Sequence, residues 1–556
     1  MEKRLILAIG LSFVVLVLYQ AFFVKPPPEA ARRPQETVAA PDIPWAQDAP
    51  AETEAPAPAL KIQEPAEPEI AGAVSAAQEE TVLVETPLYS AVWSNRGGIL
   101  TSWKLKEHKA RAVKGREGEK QALDMVPLEA AEKGTFPFAV RTGDEELDRI
   151  LNTAYYRVSQ TSLNISEGRI AEVEFEYSDG KGIRAEKRFV FSGGTYAMDM
   201  NIRVWKDGRE VPLAVIWGPG LGNPTPEELK QRFSAASGAA VFSGGKVHRM
   251  DERKYKAERS AFNFVEWAAY EDNYFAAMFL VGNQRGTAVF ELRPAEDGPD
   301  YFLAVSGPVM AYIGPKEIDR LKAFGHNAKA LINFGFFGSI AEILLIGIRF
   351  FHGLVPNWGF AIIIMTIVVK ILFFPLTYSS SKSMAKMAEL QPKIKALRSK
   401  YKKAKQDIGQ RRQMNEEMMK LYKQHGVNPA GGCLPMLIQL PIFWGFFRML
   451  TVAVEFRHSP FIFWIKDLSV MDPFYVTPLL MGATQFVSMK MTPTSADPAQ
   501  ARMMMIMPVV MTVFFLSFQS GLVLYWLTSN VLQIGQQALM NKMMAKKKRE
   551  SHGKRK

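Results

Sequence analysis

The sequence predicts a polytopic α-helical membrane protein that carries a large all-β domain outside the membrane. Three observations predict it. Apolar residues of the second half gather in stretches of membrane-crossing length, led by Trp358–Tyr378, and a spanning helix needs about 20 mostly apolar residues. Period-two alternation recurs between Thr81 and Ile318, as in Val173, Phe175, Tyr177 and again in Tyr196, Met198, Met200, Ile202, Val204; this is the spacing of half-buried strands. Positive charge concentrates in 382–423 and 542–556, beside the apolar stretches, as on the cytoplasmic side of a membrane. A chain of 556 residues with net charge +12 exceeds a single domain. Basic runs also suit nucleic acid, ribosomal RNA included, but no recognised nucleic-acid motif accompanies them. The single cysteine, Cys433, excludes an internal disulfide and a cysteine zinc site, and reads as packing within an apolar span.

Residues 1–24 join Lys3 and Arg4 to an apolar run with no small-x-small cleavage site before Lys25-Pro26-Pro27-Pro28, so they read as an uncleaved transmembrane anchor. Residues 25–80, rich in Pro, Ala and Glu, bury too little apolar surface to offset ordering and read as a disordered or extended linker. Residues 81–318 form the antiparallel β-sandwich, with turns at Ser178-Asp179-Gly180 and Ser192-Gly193-Gly194 and a short helix at Pro224–Phe233. The glycine-rich Trp217–Asn223 lacks dinucleotide spacing and is a loop. Residues 319–356 turn helical and predict an interfacial helix around Ile340–Phe351.

Residues 357–541 form a core of five membrane helices, the first at Trp358–Tyr378 and the rest at Pro429–Leu450, Pro473–Met489, Met503–Phe518 and Leu522–Leu539. Inside it, 379–428 is a charged helical hairpin broken at Asp407-Ile408-Gly409, with apolar stripes Leu390, Ile394, Leu397, Tyr401 and Met414, Met418, Leu421, His425. Its basic residues Lys393, Lys395, Arg398, Lys402, Lys403, Arg411 and Arg412 fit either a solvated, self-packed hairpin or a docking arm for a polyanion or partner protein. Residues 542–556 are a basic tail. Six crossings that start inside place both termini, the hairpin and the tail on the cytoplasmic side and the β-domain outside.

Lys370 lies within the second span, where a cation costs about 2.5–3.5 kcal/mol even on insertion scales. None of the last five spans carries Asp or Glu, so a buried ion pair is excluded, leaving snorkelling or hydration. Thr366 stands one turn before Lys370, Gln439 lies mid-span, and Trp526, Asn530, Gln533 and Gln537 form a stripe at 4-3-4 spacing. Amides in lipid are costly unless hydrogen-bonded. Interhelical amide bonding is one reading; a water-filled concavity open to the cytoplasm is the better one. The last two spans hold about 16 and 18 residues, roughly 24–27 Å at helical rise, which would thin the bilayer locally. Scattered histidines and the lack of a nucleophile–base pair argue against an enzyme. A small-solute transporter would show internal repeats and midplane carboxylates, which are missing. A non-inserting assembly scaffold is the remaining alternative. No metal, nucleotide or other cofactor site is predicted.

Four motifs, WGFAIIIMTIVVKILFFPLT, SMAKMAELQPKIKALR, VNPAGGCLPMLIQLPIFW and SGLVLYWLTSN, occur in order between Trp358 and Asn530. Together they closely resemble the YidC/Oxa/Alb membrane protein insertases, and the large β-domain resembles the Gram-negative form, whose periplasmic domain is a β-supersandwich. The resemblance implies an insertase and chaperone in the bacterial inner membrane, acting on nascent membrane proteins alone or with the Sec translocon. It implies a groove whose basic residue, commonly arginine, falls on Lys370, with Thr366, Gln439 and Trp526 at groove-facing positions. It also implies that the hairpin receives substrate from ribosome and signal-recognition machinery, and that the tail contacts the ribosome.

Overall fold

The computed structural model describes residues 72–110, 122–222, 237–282, 286–295, 299–401, 407–427, 434–491 and 498–553. The expected N-terminal anchor, residues 25–71 of the linker, the helix expected at Pro224–Phe233, Lys402, Lys403 and Cys433 lie outside them.

Among the described residues, alternation in the first half builds three sheets. The largest has ten strands, and its path runs from Lys246–Asp251 through Gly238–Ser243, Val265–Glu271, Phe275–Val281, Pro308–Pro315, Ala197–Lys206, Ile183–Ser192 and Ile170–Ser178 to Arg157–Val158. Two five-stranded sheets pack on it. Trp93 of one smaller sheet sits 4.4 Å from Phe189 of the large sheet, and Trp217 of the other sits 6.2 Å from Phe279. The register explains the alternation: Met198 faces Phe191, Met200 faces Phe189 and Val204 faces Ala185, all buried. Phe275–Val281 is buried at every position, so both faces are covered and period two disappears. Residues 72–80, expected in the linker, already lie on this domain. Val74 pairs with Ser178, and the Ala76 amide donates to the Tyr155 carbonyl, so backbone pairing captures a segment that lacks apolar bulk.

A buried lysine without a carboxylate partner among the described residues stands inside the sandwich. Lys187 is 1% exposed, and its ammonium donates to the carbonyls of Gly97 at 2.6 Å, Phe138 at 3.0 Å and Gly98 at 3.3 Å. Gly97 and Gly98 turn with φ of +75° and +55°, and a Cβ on Gly98 would meet Lys187 Cδ at 3.1 Å. Burial pulls the Lys187 ammonium down to about 7 from its ordinary 10.5. Between those values the unfolded chain holds the proton and the folded chain sheds it, so this group adds stability as pH rises from about 7 and penalises the fold below it. Lys187→Met should remove that dependence. The stability difference between wild type and variant should change with pH by up to about 1.4 kcal/mol per unit above pH 7. Melting curves at pH 6.5 and 9 check it, and a pH-independent difference refutes it.

The helical part begins with α1 (Gly338–Leu354), α2 (Trp358–Leu372), α3 (Phe374–Glu389), α4 (Gln391–Lys400) and α5 (Ile408–Gln424). It continues with α6 (Leu434–Val452), α7 (Val476–Met491), α8 (Pro498–Phe515) and α9 (Ser520–Gly553). Asn357 caps α2, its side chain accepting from Gly359 and Phe360 amides at 2.9 and 3.1 Å. The stretch Trp358–Tyr378, expected as one continuous helix, is broken: α2 ends at Leu372 and α3 leaves at a 59° bend. Pro375 is the cause, because it offers no N–H to the Ile371 carbonyl and its ring crowds that carbonyl. Among the described residues no single helix is long and apolar enough to cross a bilayer, but the bent pair α2–α3 is. A second difference concerns the last span. Helicity runs on past Leu539 to Gly553, a helix of 34 residues, so the short sixth element inferred from apolar length is short only in its apolar part.

α1 is two-faced. Ala341, Leu344, Leu345 and Ile348 are buried, while Ile343, Ile346, Phe350 and Leu354 form an exposed apolar stripe. Its charges tie the two halves together: Arg349 binds Asp319 at 2.9 Å and Glu455, and Glu342 binds Lys329 at 2.6 Å. Arg457, after α6, donates to the Lys109 carbonyl at 2.6 Å. The α4–α5 hairpin closes on Leu390, Ile394, Met418, Tyr422 and Val427, with Leu397 and Leu421 packed against them.

Candidate functional site

The polar positions of α2, α6, α7 and α9 divide into two sets. Thr366 is buried at 1% exposure, and its hydroxyl donates back to the Ile362 carbonyl at 2.7 Å within α2. Asn530 is buried as well and donates to the Met481 carbonyl at 3.1 Å and the Thr484 hydroxyl at 3.4 Å, joining α9 to α7. Gln537 is buried and donates to Asn541 at 3.0 Å. Thr366 and Gln537 are thus satisfied within their own helices, and Asn530 alone bonds across an interface, as interhelical amides do.

The second set is half-exposed. Lys370, in the last turn of α2, donates to the side-chain carbonyl of Gln533 on α9 at 3.3 Å. Gln439 on α6 donates to the hydroxyl of Tyr525, a buried ring stacked 4.0 Å from Phe446. The Trp526 indole donates to Gln485 on α7 at 3.3 Å, and its ring lies 5.0 Å from Phe443 and 5.3 Å from Phe515. Lys370, Gln439, Gln485, Trp526 and Gln533 are thus polar groups spread over four helices, none of them fully buried. The sequence stripe on α9 splits: Gln533 turns to α2, and Trp526 and Asn530 turn to α7. Lys370 has an amide partner, which neither snorkelling nor hydration anticipated. Gln485 is absent from the sequence-derived set, although an amide after Thr484 in an apolar stretch is the same signal that marked Gln439.

Close backbone approach packs these helices. Gly359 leaves room for the Phe461 ring, and a Cβ on Gly482 would fall on the Thr512 hydroxyl of α8. Among the described residues no group of His, Cys, Asp and Glu is arranged to hold a metal.

In the hairpin, Lys393 meets His425 at 3.1 Å, Lys400 binds Glu417 at 2.9 Å and Arg412 lies 3.3 Å from Glu416. The hydrogen bond from Lys400 holds the Glu417 carboxyl below its ordinary range. Lys395, Arg398 and Arg411 lie on the same helices. An open cleft of about 480 Å³ between α4 and α5 is lined by Lys393, Leu397, Lys400, Glu417, Lys420 and Leu421.

Two family matches divide the chain at α1. Residues 81–346 match the YidC periplasmic domain, and residues 350–548 match the family described as 60Kd inner membrane protein. The membrane protein insertase YidC of Geobacter metallireducens is 35% identical over 560 residues, covering 98% of this chain and 99% of that one. This chain belongs to the YidC family. The YidC of Syntrophus aciditrophicus is 36% identical over 569 residues, covering 98% of this chain and all of its own length at 100%. A crystal structure described as an active YidC insertase with its first transmembrane domain resolved aligns at 20% identity and a TM-score of 0.35, covering 84% of this chain and 94% of that one. The family resemblance drawn from Trp358–Asn530 therefore extends through the β-domain. The fold is that of a YidC with a large β-rich periplasmic domain followed by a helical membrane part.

Proposed function

We propose that this chain is a membrane protein insertase and chaperone of the inner membrane, which moves short polar segments of nascent membrane proteins across the bilayer. The observation that carries the reading is the placement of Lys370: a cation in an apolar helix, half-exposed, held by an uncharged amide across a helix interface. A structural ion pair would have closed this position, whereas an ammonium held only by an amide keeps an affinity for anionic or polar groups that arrive beside it. Lys370, Gln439, Trp526 and Gln533 line the groove in this proposal, and Thr366 and Asn530 brace its walls. The groove opens to the cytoplasm and needs no cofactor or covalent chemistry.

The chain crosses the membrane six times with both termini cytoplasmic, following the distribution of positive charge. The hairpin receives clients from ribosome and signal-recognition machinery through Lys393, Lys395, Arg398, Lys402, Lys403, Arg411 and Arg412, and the protein works alone or beside the Sec translocon. Reconstitution tests the central claim. Purified protein in liposomes should convert a small phage-coat-like client to a protease-protected form without nucleotide or Sec components. Solute flux instead of protection would favour a transporter, and neither activity would leave an assembly scaffold.

A further inference from the structure

We infer that Gln533 is a resident acceptor for Lys370: it occupies the ammonium between clients and yields it to a carboxylate of the segment in transit. The inference rests on the groove proposed above and deepens it by naming the residue that competes with the client for the ammonium.

Three observations carry it. The bond from Lys370 to Gln533 is 3.3 Å long, whereas charge-assisted bonds from ammonium to carboxylate run about 2.7–2.9 Å and are roughly twice as strong as neutral ones. The present contact is thus a weak one that a carboxylate improves in both length and charge. Next, α2, α6, α7 and α8 contain no Asp or Glu, and α9 has none before Glu550. Nothing within these helices competes for the ammonium as an acid would. Finally, Gln533 differs from the other groove amides. Gln439 is bonded to a buried tyrosine and Asn530 to the backbone and hydroxyl of α7. Gln533 makes its hydrogen bond to Lys370 and to no other described residue, and it is only half-buried. Its side chain can swing away without breaking a second contact.

An amide at this position sets a threshold. A neutral client group gains little by displacing it, since one uncharged acceptor replaces another. A carboxylate gains a charge-assisted bond, roughly twice as strong as a neutral one. Gln533 therefore makes the groove favour acidic residues within the translocated segment, and it spares Lys370 from lacking any acceptor in between.

The test uses the full-length protein in liposomes with two small clients that differ only by Asp→Asn in the translocated segment. Gln533→Glu gives Lys370 a permanent counter-ion, so insertion of the Asp client should fall about tenfold further than insertion of the Asn client. Gln533→Leu removes the competitor without adding a charge and should lower insertion of the Asp client less than Gln533→Glu does. Melting temperatures in detergent establish that both variants are folded. Wild-type rates for the Asp client with Gln533→Glu overturn the inference. Equal loss of both clients in both variants also overturns it, because the amide would then serve packing alone. Failure of the unaltered protein to insert either client overturns the insertase reading and with it this role for Gln533.

Discussion

Lys370→Ala should lower insertion of a client with an acidic translocated segment by at least about tenfold, and Lys370→Glu should lower it further. Lys370→Arg should stay within about threefold of wild type. The first substitution removes the ammonium that Gln533 holds at 3.3 Å and leaves an amide acceptor without its donor. Losing a hydrogen bond to a charged group costs about 1.5–3 kcal/mol, which sets the tenfold floor. Glutamate at the same place repels an acidic segment. Arginine keeps the charge and adds a planar fork, and its extra reach lets it still meet Gln533. Initial rates of protease protection in liposomes measure all three. If alanine, glutamate and arginine inserted the client equally well, the charge would have no part in recognition.

Gly482→Ala should destabilise the helical part by about 1–3 kcal/mol, the usual range for overfilling a packed site. The added Cβ falls on the Thr512 hydroxyl and within 3.1 Å of its Cβ. Thr512 does not turn aside freely, because its hydroxyl donates to the Pro508 carbonyl at 2.7 Å on α8. Thr512→Ala should therefore restore part of the loss, with the remaining 3.1 Å approach keeping recovery incomplete, and Thr512→Ser should restore none. A double-mutant cycle on melting temperatures in detergent checks this. Equal stability of Gly482→Ala and wild type would mean that α7 and α8 do not meet at this glycine.

Much of the fold was legible because burial writes itself into spacing. Phe175, Met198, Met200 and Val204 alternate with less buried neighbours along the large sheet and are readable as strand residues. Phe275–Val281 carries no such signature because both of its faces are covered. The hairpin core was half legible: Leu390, Ile394 and Met418 followed helical spacing, Tyr422 stands one turn after Met418 on α5 beside the expected Leu421, and Val427 entered through the turn after α5. The bend at Phe373 has a different origin. The apolar count of Trp358–Tyr378 measures length alone, while Pro375 decides where that length breaks.

For the polar groups the division is sharper. Composition and spacing alone determined that Lys370 sits in an apolar helix with no acid in the neighbouring spans, and that amides recur along α9 at helical spacing. Which amide meets which partner was decided by the tertiary structure. Gln533 and Asn530 share a stripe, yet one reaches α2 and the other α7, because three residues along a helix turn a side chain by about 300° and move it about 4.5 Å. Periodicity names the side of a helix on which a residue stands. Only the packing of α2, α7 and α9 says whose side chain waits there.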